Sequence, residues 1–195
     1  MLYPRAPDRQ NGPPVRLGIL FIALSLGCIE RAYEGAQGPP ARAQVDRSAL
    51  RDVLVPPPSD ATAVGAVFGN AAELLAYKLE PPALVPGQRS KLTLYWRCRA
   101  EMEPWHIFVH LDDATGTGER IHAEHDPAAG RFPTDAWRPG DLIADSIPFV
   151  PGQHPLLFFL GFYSSGENRL PLTSPGRGRD DGNNRLLAGI LPLAR

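Results

Sequence analysis

Residues 92–99 read LTLYWRCR, and this stretch indicates the fold class because its polarity alternates with a period of two. The apolar members, which include Leu92, Trp96 and Cys98, fall on one side of an extended chain, and the more polar members mostly fall on the other. A helix would not separate the two sets in this way. The stretch therefore predicts a β-strand with one face in a core.

The same signal recurs along the C-terminal two thirds of the chain. Residues 107–111 alternate in polarity, and residues 156–163 (LLFFLGFY) are apolar throughout, as expected of a central strand covered on both faces. Further strand candidates are residues 73–79, 121–124, 143–149 and 185–191.

Turns separate these runs. Pro86-Gly87, Pro139-Gly140 and Pro151-Gly152 each precede a candidate strand. Proline presets the second position of a type II turn, and glycine supplies the positive φ of the third. Short strands with such turns and no convincing long helix predict an all-β fold, an antiparallel β-sandwich over residues 63–195.

Composition excludes several classes of protein. The 195 residues include Lys+Arg 20 and Asp+Glu 21, for a formal net charge of −1. A nucleic-acid partner is therefore not expected, since such proteins carry a clustered basic excess. At 43% hydrophobic and 21% charged, the chain fits neither a wholly disordered protein nor a polytopic membrane protein.

The N-terminus has the pattern of an export signal. Arg5, Arg9 and Arg16 precede the apolar run LGILFIALSL at residues 17–26, and Gly27-Cys28 follows it. The run is too short to cross a bilayer core of about 30 Å as a helix. Residues 1–27 are therefore predicted to be a signal peptide.

Residues 24–28, LSLGC, resemble the processing site of bacterial lipoprotein precursors, with Ser25 where that family prefers Leu. The resemblance implies that Cys28 becomes a lipid-bearing N-terminus and anchors the protein in a membrane. Lipoproteins of this kind that lack Asp after the cysteine are usually sent to the outer membrane, and here Ile29 follows Cys28. The resemblance therefore implies the outer membrane, with the protein on the periplasmic side or at the cell surface. A plain secretory signal or an uncleaved anchor is the alternative.

The two cysteines allow two arrangements. If Cys28 is acylated, Cys98 lacks a partner and is expected to be buried on its strand. A Cys28–Cys98 disulfide is the alternative.

Residues 28–62 are predicted to be a flexible tether. They contain Gly38-Pro39-Pro40 and Pro56-Pro57-Pro58, which favour polyproline conformation. A short helix over residues 46–55, capped by Asp46 and with Leu50, Val53 and Leu54 on one face, is the alternative, although its length is marginal for an isolated helix.

A second resemblance rests on a set of motifs spread over the predicted sandwich. These are Phe108-Val109-His110-Leu111, Asp126-Pro127, Pro133-Thr134, Trp137 with Pro139-Gly140, Gly161-Phe162-Tyr163 and Arg169-Leu170-Pro171. In this order they resemble the immunoglobulin-like β-sandwich domain at the C-terminus of some bacterial membrane glycosyltransferases that use lipid-linked sugars, which also occurs in uncharacterised exported proteins. The resemblance covers residues 64–193 and implies an immunoglobulin-like fold. It implies no catalytic residue, because the membrane part of those enzymes does the catalytic work.

Two groups of side chains are candidate sites. His122, His125 and Asp126 lie close together in sequence and offer ligands suited to zinc or copper. The alternative is a loop in which Asp126 only bonds backbone amides. His106 and His110 share one strand face but lie about 13 Å apart, too far to bind one ion.

Aromatic residues form the second candidate. Trp105, Trp137 and Tyr163, with Tyr95, are suited to stacking on a sugar if they are exposed. The alternative is that most of them fill the core.

The sequence contains no recognisable catalytic motif and predicts no cofactor. We therefore expect a non-enzymatic cell-envelope lipoprotein that acts as an interaction or scaffolding module, with an envelope protein or a glycan as partner. The alternatives are a carbohydrate-binding module that uses exposed aromatics and a hydrolase with an unrecognised site.

Overall fold

The computed structural model describes residues 42–165 and 168–194. Within them the strands are β1 (Thr62–Phe68), β2 (Ala72–Glu80), β3 (Ser90–Cys98), β4 (His106–Asp113), β5 (Ile121–His122), β6 (Leu142–Phe149), β7 (Leu156–Tyr163), β8 (Leu172–Ser174), β9 (Arg179–Asp180) and β10 (Leu186–Leu191). Short 3-10 helices span Arg47–Leu50, Pro127–Gly130 and Thr134–Ala136. The all-β prediction is confirmed.

The strands form two antiparallel sheets of five strands each. The first sheet has the order β6-β3-β2-β1-β8, and the second has the order β5-β4-β7-β10-β9. Strand β3, which contains the alternating stretch, pairs with both β2 and β6. The apolar strand β7 pairs with both β4 and β10, as expected for a central strand. The two sheets enclose one core, so the predicted sandwich architecture is confirmed.

Aromatic rings join the two sheets. Trp96 of β3 contacts Phe162 of β7 with ring centroids 4.9 Å apart. Phe68 of β1 contacts the same Phe162 ring at 5.4 Å, edge to face. Such pairs add about 0.5–1.5 kcal/mol beyond the apolar area that they bury. This cluster stabilises the sandwich between β1, β3 and β7.

The Pro-Gly turns are only partly as predicted. Gly87 has φ +76° and Gly140 has φ +94°, which agrees with the positive φ expected for the third position of a type II turn. Gly152 has no positive φ. The carbonyl of Pro151 instead accepts a hydrogen bond of 3.0 Å from the amide of Gly87, so this turn is joined to the other one.

The prediction of a flexible tether through residue 62 is corrected for its second half. Leu50 and Val53 are buried in the core. The carbonyl of Val53 accepts a hydrogen bond of 2.7 Å from the amide of Ala144, on the edge strand β6. Arg47 pairs with Asp141 through two hydrogen bonds of 2.6 and 3.1 Å. The apolar face expected of a short helix here is thus realised as a 3-10 turn that covers a sheet edge.

Residues 1–41 lie outside the described residues. The predicted signal peptide, Cys28 and the first part of the tether belong to that segment. Across residues 42–165 and 168–194, no helix has both the length and the apolar character needed to cross a bilayer.

Candidate functional site

The predicted metal ligands His122, His125 and Asp126 do not come together. Nε2 of His125 lies 2.7 Å from Oδ2 of the buried Asp145, whereas Asp126 pairs with His106. The segment is extended, so successive side chains leave it on opposite sides. This period of two, which separates His122 from His125, is the physical reason why the predicted triad is wrong.

Asp145 organises the inner side of this segment. Besides His125, it accepts a hydrogen bond of 2.8 Å from the amide of Ala128. Ala128 and Ala129 have φ values of +54° and +56°, which non-glycine residues seldom adopt. Burial favours the neutral ring of His125, but its hydrogen bond and attraction to Asp145 together raise the pKa of His125 above its usual value. The pair ties the strained turn to strand β6.

On the outer side, a different group of ligands is assembled. His110 of β4 and His122 of β5 are directly opposite one another in the antiparallel register. Glu124 follows His122 by two residues and so lies on the same face. Its Oε1 atom lies 3.0 Å from Nε2 of His110 and 3.1 Å from Nδ1 of His122. One potential ligand atom from each residue falls within 4.8 Å of the other two.

The electrostatics of this group follow from its half-buried position. Burial lowers the pKa of His110, although Glu124 opposes that shift. Burial by itself would raise the pKa of Glu124, but its hydrogen bonds, chiefly the one with His122, together hold that pKa below its usual range. Nδ1 of His110 is buried and has no partner among the described residues.

The predicted aromatic platform is not formed. Trp137 is fully buried, and its Nε1 donates a hydrogen bond of 2.9 Å to the carbonyl of Phe132. Trp105 is partly buried and packs against the core. Tyr163 is half-buried beside His106, with ring centroids 5.1 Å apart. Trp137 is therefore a core residue, and the prediction that it forms an exposed stacking surface is wrong.

A polar cleft opens beside His110. It has a volume of about 720 Å³. Its lining residues come from β4, from the segment before β5 and from the loops that flank β8 and β9, and they are His110, Arg120, Asn168, Arg169, Gly182, Asn183, Asn184 and Arg185. Three of these described residues are arginines and none is a carboxylate, so the lining is rich in hydrogen-bond donors.

The three arginines are held in place by their neighbours. Arg120 makes a two-pronged contact with Asp112, at 2.6 and 2.8 Å. Arg185 pairs with Asp181 and stacks 4.1 Å from the ring centroid of Phe159. These contacts fix each guanidinium and leave further N–H groups for a ligand.

Arg169 is held differently. Its guanidinium stacks 4.9 Å from the ring centroid of Phe108 and donates a hydrogen bond of 3.0 Å to the carbonyl of Asn183. It makes no ion pair with another described residue. Phe108 in turn lies over Gly161, where a Cβ atom would stand only 2.6 Å from the ring. The absence of a side chain at Gly161 thus positions Phe108 beneath Arg169.

Sequence reasoning missed this cleft. Arg120, Arg169 and Arg185 come from three separate segments, so no local motif joins them. Their positions depend on the order β5-β4-β7-β10-β9 of the second sheet. The local signal for the His/Glu group did exist, because His122 and Glu124 have the spacing of one strand face within the predicted strand 121–124.

Cys98 is buried, as predicted, and its sulfur donates to the carbonyl of Ala100 at 3.1 Å. Burial, with a smaller contribution from Asp141, raises the pKa of the Cys98 thiol to about 11. The disulfide alternative involves Cys28, which lies outside the described residues.

The raised pKa of Cys98 leads to a chemical prediction. In a Cys28→Ala variant at pH 8, we expect a thiol-specific reagent to leave the folded protein unlabelled and to label it fully in denaturant, because the thiolate is the reactive form. The change in absorbance of the reagent during labelling measures the fraction of Cys98 that has reacted. Rapid labelling of the folded variant would contradict the buried position of Cys98.

No protein-family model matches the chain, and no curated protein is significantly similar to it in sequence.

Proposed function

We propose that the protein is an exported lipoprotein whose β-sandwich acts as a non-enzymatic binding module at the bacterial cell envelope. The ligand that we propose is an acidic glycan. The observation that carries the proposal is the cleft of about 720 Å³ on which three arginines converge. This volume is in the usual range for small-ligand sites, about 300–1,000 Å³.

The lining favours an anionic ligand. Guanidinium groups bind carboxylates, phosphates and sulfates through pairs of parallel hydrogen bonds. The nearby carboxylates of Asp112 and Asp181 are occupied by Arg120 and Arg185, so each arginine is oriented before a ligand arrives. Preorganised groups reduce the entropy lost on binding.

The remaining lining favours a sugar over a flat apolar molecule. Side-chain amides of Asn168, Asn183 and Asn184 contribute donors and acceptors that suit hydroxyl groups. The large aromatic rings next to the cleft, Phe108 and Phe159, are covered by arginine side chains. Recognition would therefore rest on polar contacts and not on the aromatic stacking expected from Trp105, Trp137 and Tyr163.

The binding proposal has a direct test. We expect the protein to bind uronate-, phosphate- or sulfate-bearing glycans on an array and to ignore neutral ones. Replacing Arg169 with glutamine should weaken binding about tenfold or more, because a hydrogen bond to a charged group contributes about 1.5–3 kcal/mol.

The matched control is Arg89→Gln. Arg89 is exposed and directly precedes β3, a strand of the first sheet. Its replacement should leave glycan binding unchanged. Equal loss in both variants would mean non-specific charge attraction and contradict the proposal. Binding of an envelope protein in place of any glycan would favour the interaction or scaffolding module expected from the sequence. Hydrolysis of the glycan would favour the alternative of a hydrolase.

The membrane attachment is supported by the sequence LSLGC at residues 24–28. We expect a palmitate analogue to label the protein in bacteria and a Cys28→Ala variant to remain unlabelled. Absence of label from the unaltered chain, or its persistence in the variant, would contradict the lipid anchor. We also propose that the sandwich is immunoglobulin-like, and its two antiparallel sheets support that grouping.

A further inference from the structure

We propose that His110, His122 and Glu124 form a binding site for Zn²⁺ on the outer face of the second sheet. His110 belongs to β4, and His122 belongs to the neighbouring strand β5. Glu124 follows His122 by two positions and supplies the third potential ligand atom. This inference goes beyond the proposed glycan binding, because it requires no anionic ligand.

The distances are close to those of a tetrahedral zinc site. With zinc–ligand bonds of about 2.0–2.1 Å, tetrahedral ligand atoms lie about 3.3 Å apart. Oε1 of Glu124 is already 3.0 Å from Nε2 of His110 and 3.1 Å from Nδ1 of His122. One potential ligand atom from each of the three residues lies within 4.8 Å of the other two. The side chains of His122 and Glu124 are exposed and therefore have room to change rotamer when an ion binds.

The donor chemistry also fits zinc. Two imidazole nitrogens and one carboxylate oxygen are ligands that Zn²⁺ accepts, and three protein ligands leave one position open. Without the ion, the hydrogen bond from His110 to Oε1 of Glu124 holds the ring proton on Nε2. Zinc binding would replace that hydrogen bond, with the proton on Nδ1, which has no partner among the described residues, and the Nε2 lone pair on the ion.

The surrounding charges tolerate a cation. Glu124 supplies a negative charge within the group. The nearest arginine in the cleft, Arg120, is paired with Asp112 through two hydrogen bonds. His110 belongs to both features, since it also lines the cleft.

The test is calorimetric titration of the untagged full chain, solubilised in detergent, with ZnCl₂ alone. We expect one ion per chain. The variants His122→Ala and Glu124→Gln should each weaken binding by about 10–100-fold or more, since even residues that only orient a ligand contribute that much. Zinc should also raise the melting temperature of the unaltered chain, and both variants should lose most of that rise.

The control variant is His106→Ala. His106 is an exposed histidine on the same strand, four residues from His110, and its removal should leave zinc affinity unchanged. Absence of binding by the unaltered chain would overturn the proposal. So would binding that survives in both site variants with circular dichroism unchanged, because the ion would then sit elsewhere. Glycan binding is measured on the array without added zinc, and zinc binding is measured by titration without glycan. Failure of one proposal is therefore distinguishable from failure of the other.

Discussion

Replacing Trp137 with alanine is expected to lower the free energy of unfolding by about 3–5 kcal/mol, the usual loss for a large buried aromatic. The indole is fully buried between Phe132, Trp96 and Phe162, with ring centroids 6.3–6.5 Å away. Its removal leaves a cavity between the sheets and leaves the carbonyl of Phe132 without its donor. Urea denaturation followed by circular dichroism measures the change.

Trp105→Ala is the matched control for Trp137. Trp105 is only partly buried against the core, so its removal should cause a clearly smaller loss of stability. If Trp137→Ala kept the unfolding free energy of the unaltered chain and lost glycan binding, the residue would be part of a sugar platform and not of the core.

Replacing Asp145 with alanine is expected to lower the free energy of unfolding by a similar amount, about 3–5 kcal/mol, because two donors lose their acceptor and each unsatisfied buried group costs about 1–3 kcal/mol. His125 would lose its partner at 2.7 Å. The amide of Ala128 would lose its acceptor in a turn with left-handed alanines. Denaturation in urea measures this loss as well.

The control for Asp145 is Asp126→Ala. Asp126 pairs with His106 at an exposed position, where ion pairs contribute about 0–1 kcal/mol. We therefore expect a small effect. Equal effects of the two substitutions would mean that Asp145 does not tie the strained turn to β6.

Much of the fold was predictable because the strands carry their own signal. The alternation from Leu92 to Cys98 and the continuous apolar run at residues 156–163 correspond to β3 and β7. Both signals arise from burial on one or two faces, which is a local property of a strand.

Long-range packing explains the main errors. Residues 46–55 are too short for their apolar side chains to show by themselves what they pack against, and Leu50 and Val53 are buried because the edge of the first sheet is next to them. Trp137 follows a short 3-10 helix and has no strand pattern, so its burial follows from its tertiary neighbours alone. Neither environment can be predicted from the local sequence.

The candidate site depended on pairing between strands. Strand β5 has only two residues, and its register against β4 places His122 opposite His110. Proximity in sequence instead grouped His122 with His125 and Asp126, which face other partners. The arginines of the cleft converge only through the order of the second sheet.

The most direct test of the proposed binding site is an NMR titration of the ¹⁵N-labelled chain with an oligogalacturonate, compared with a neutral maltooligosaccharide. We predict that amide shifts change around Arg120, Arg169 and residues 182–185 with the acidic sugar and nowhere with the neutral one. Shift changes confined to the first sheet, or equal changes with both sugars, would contradict binding of an acidic glycan in this cleft.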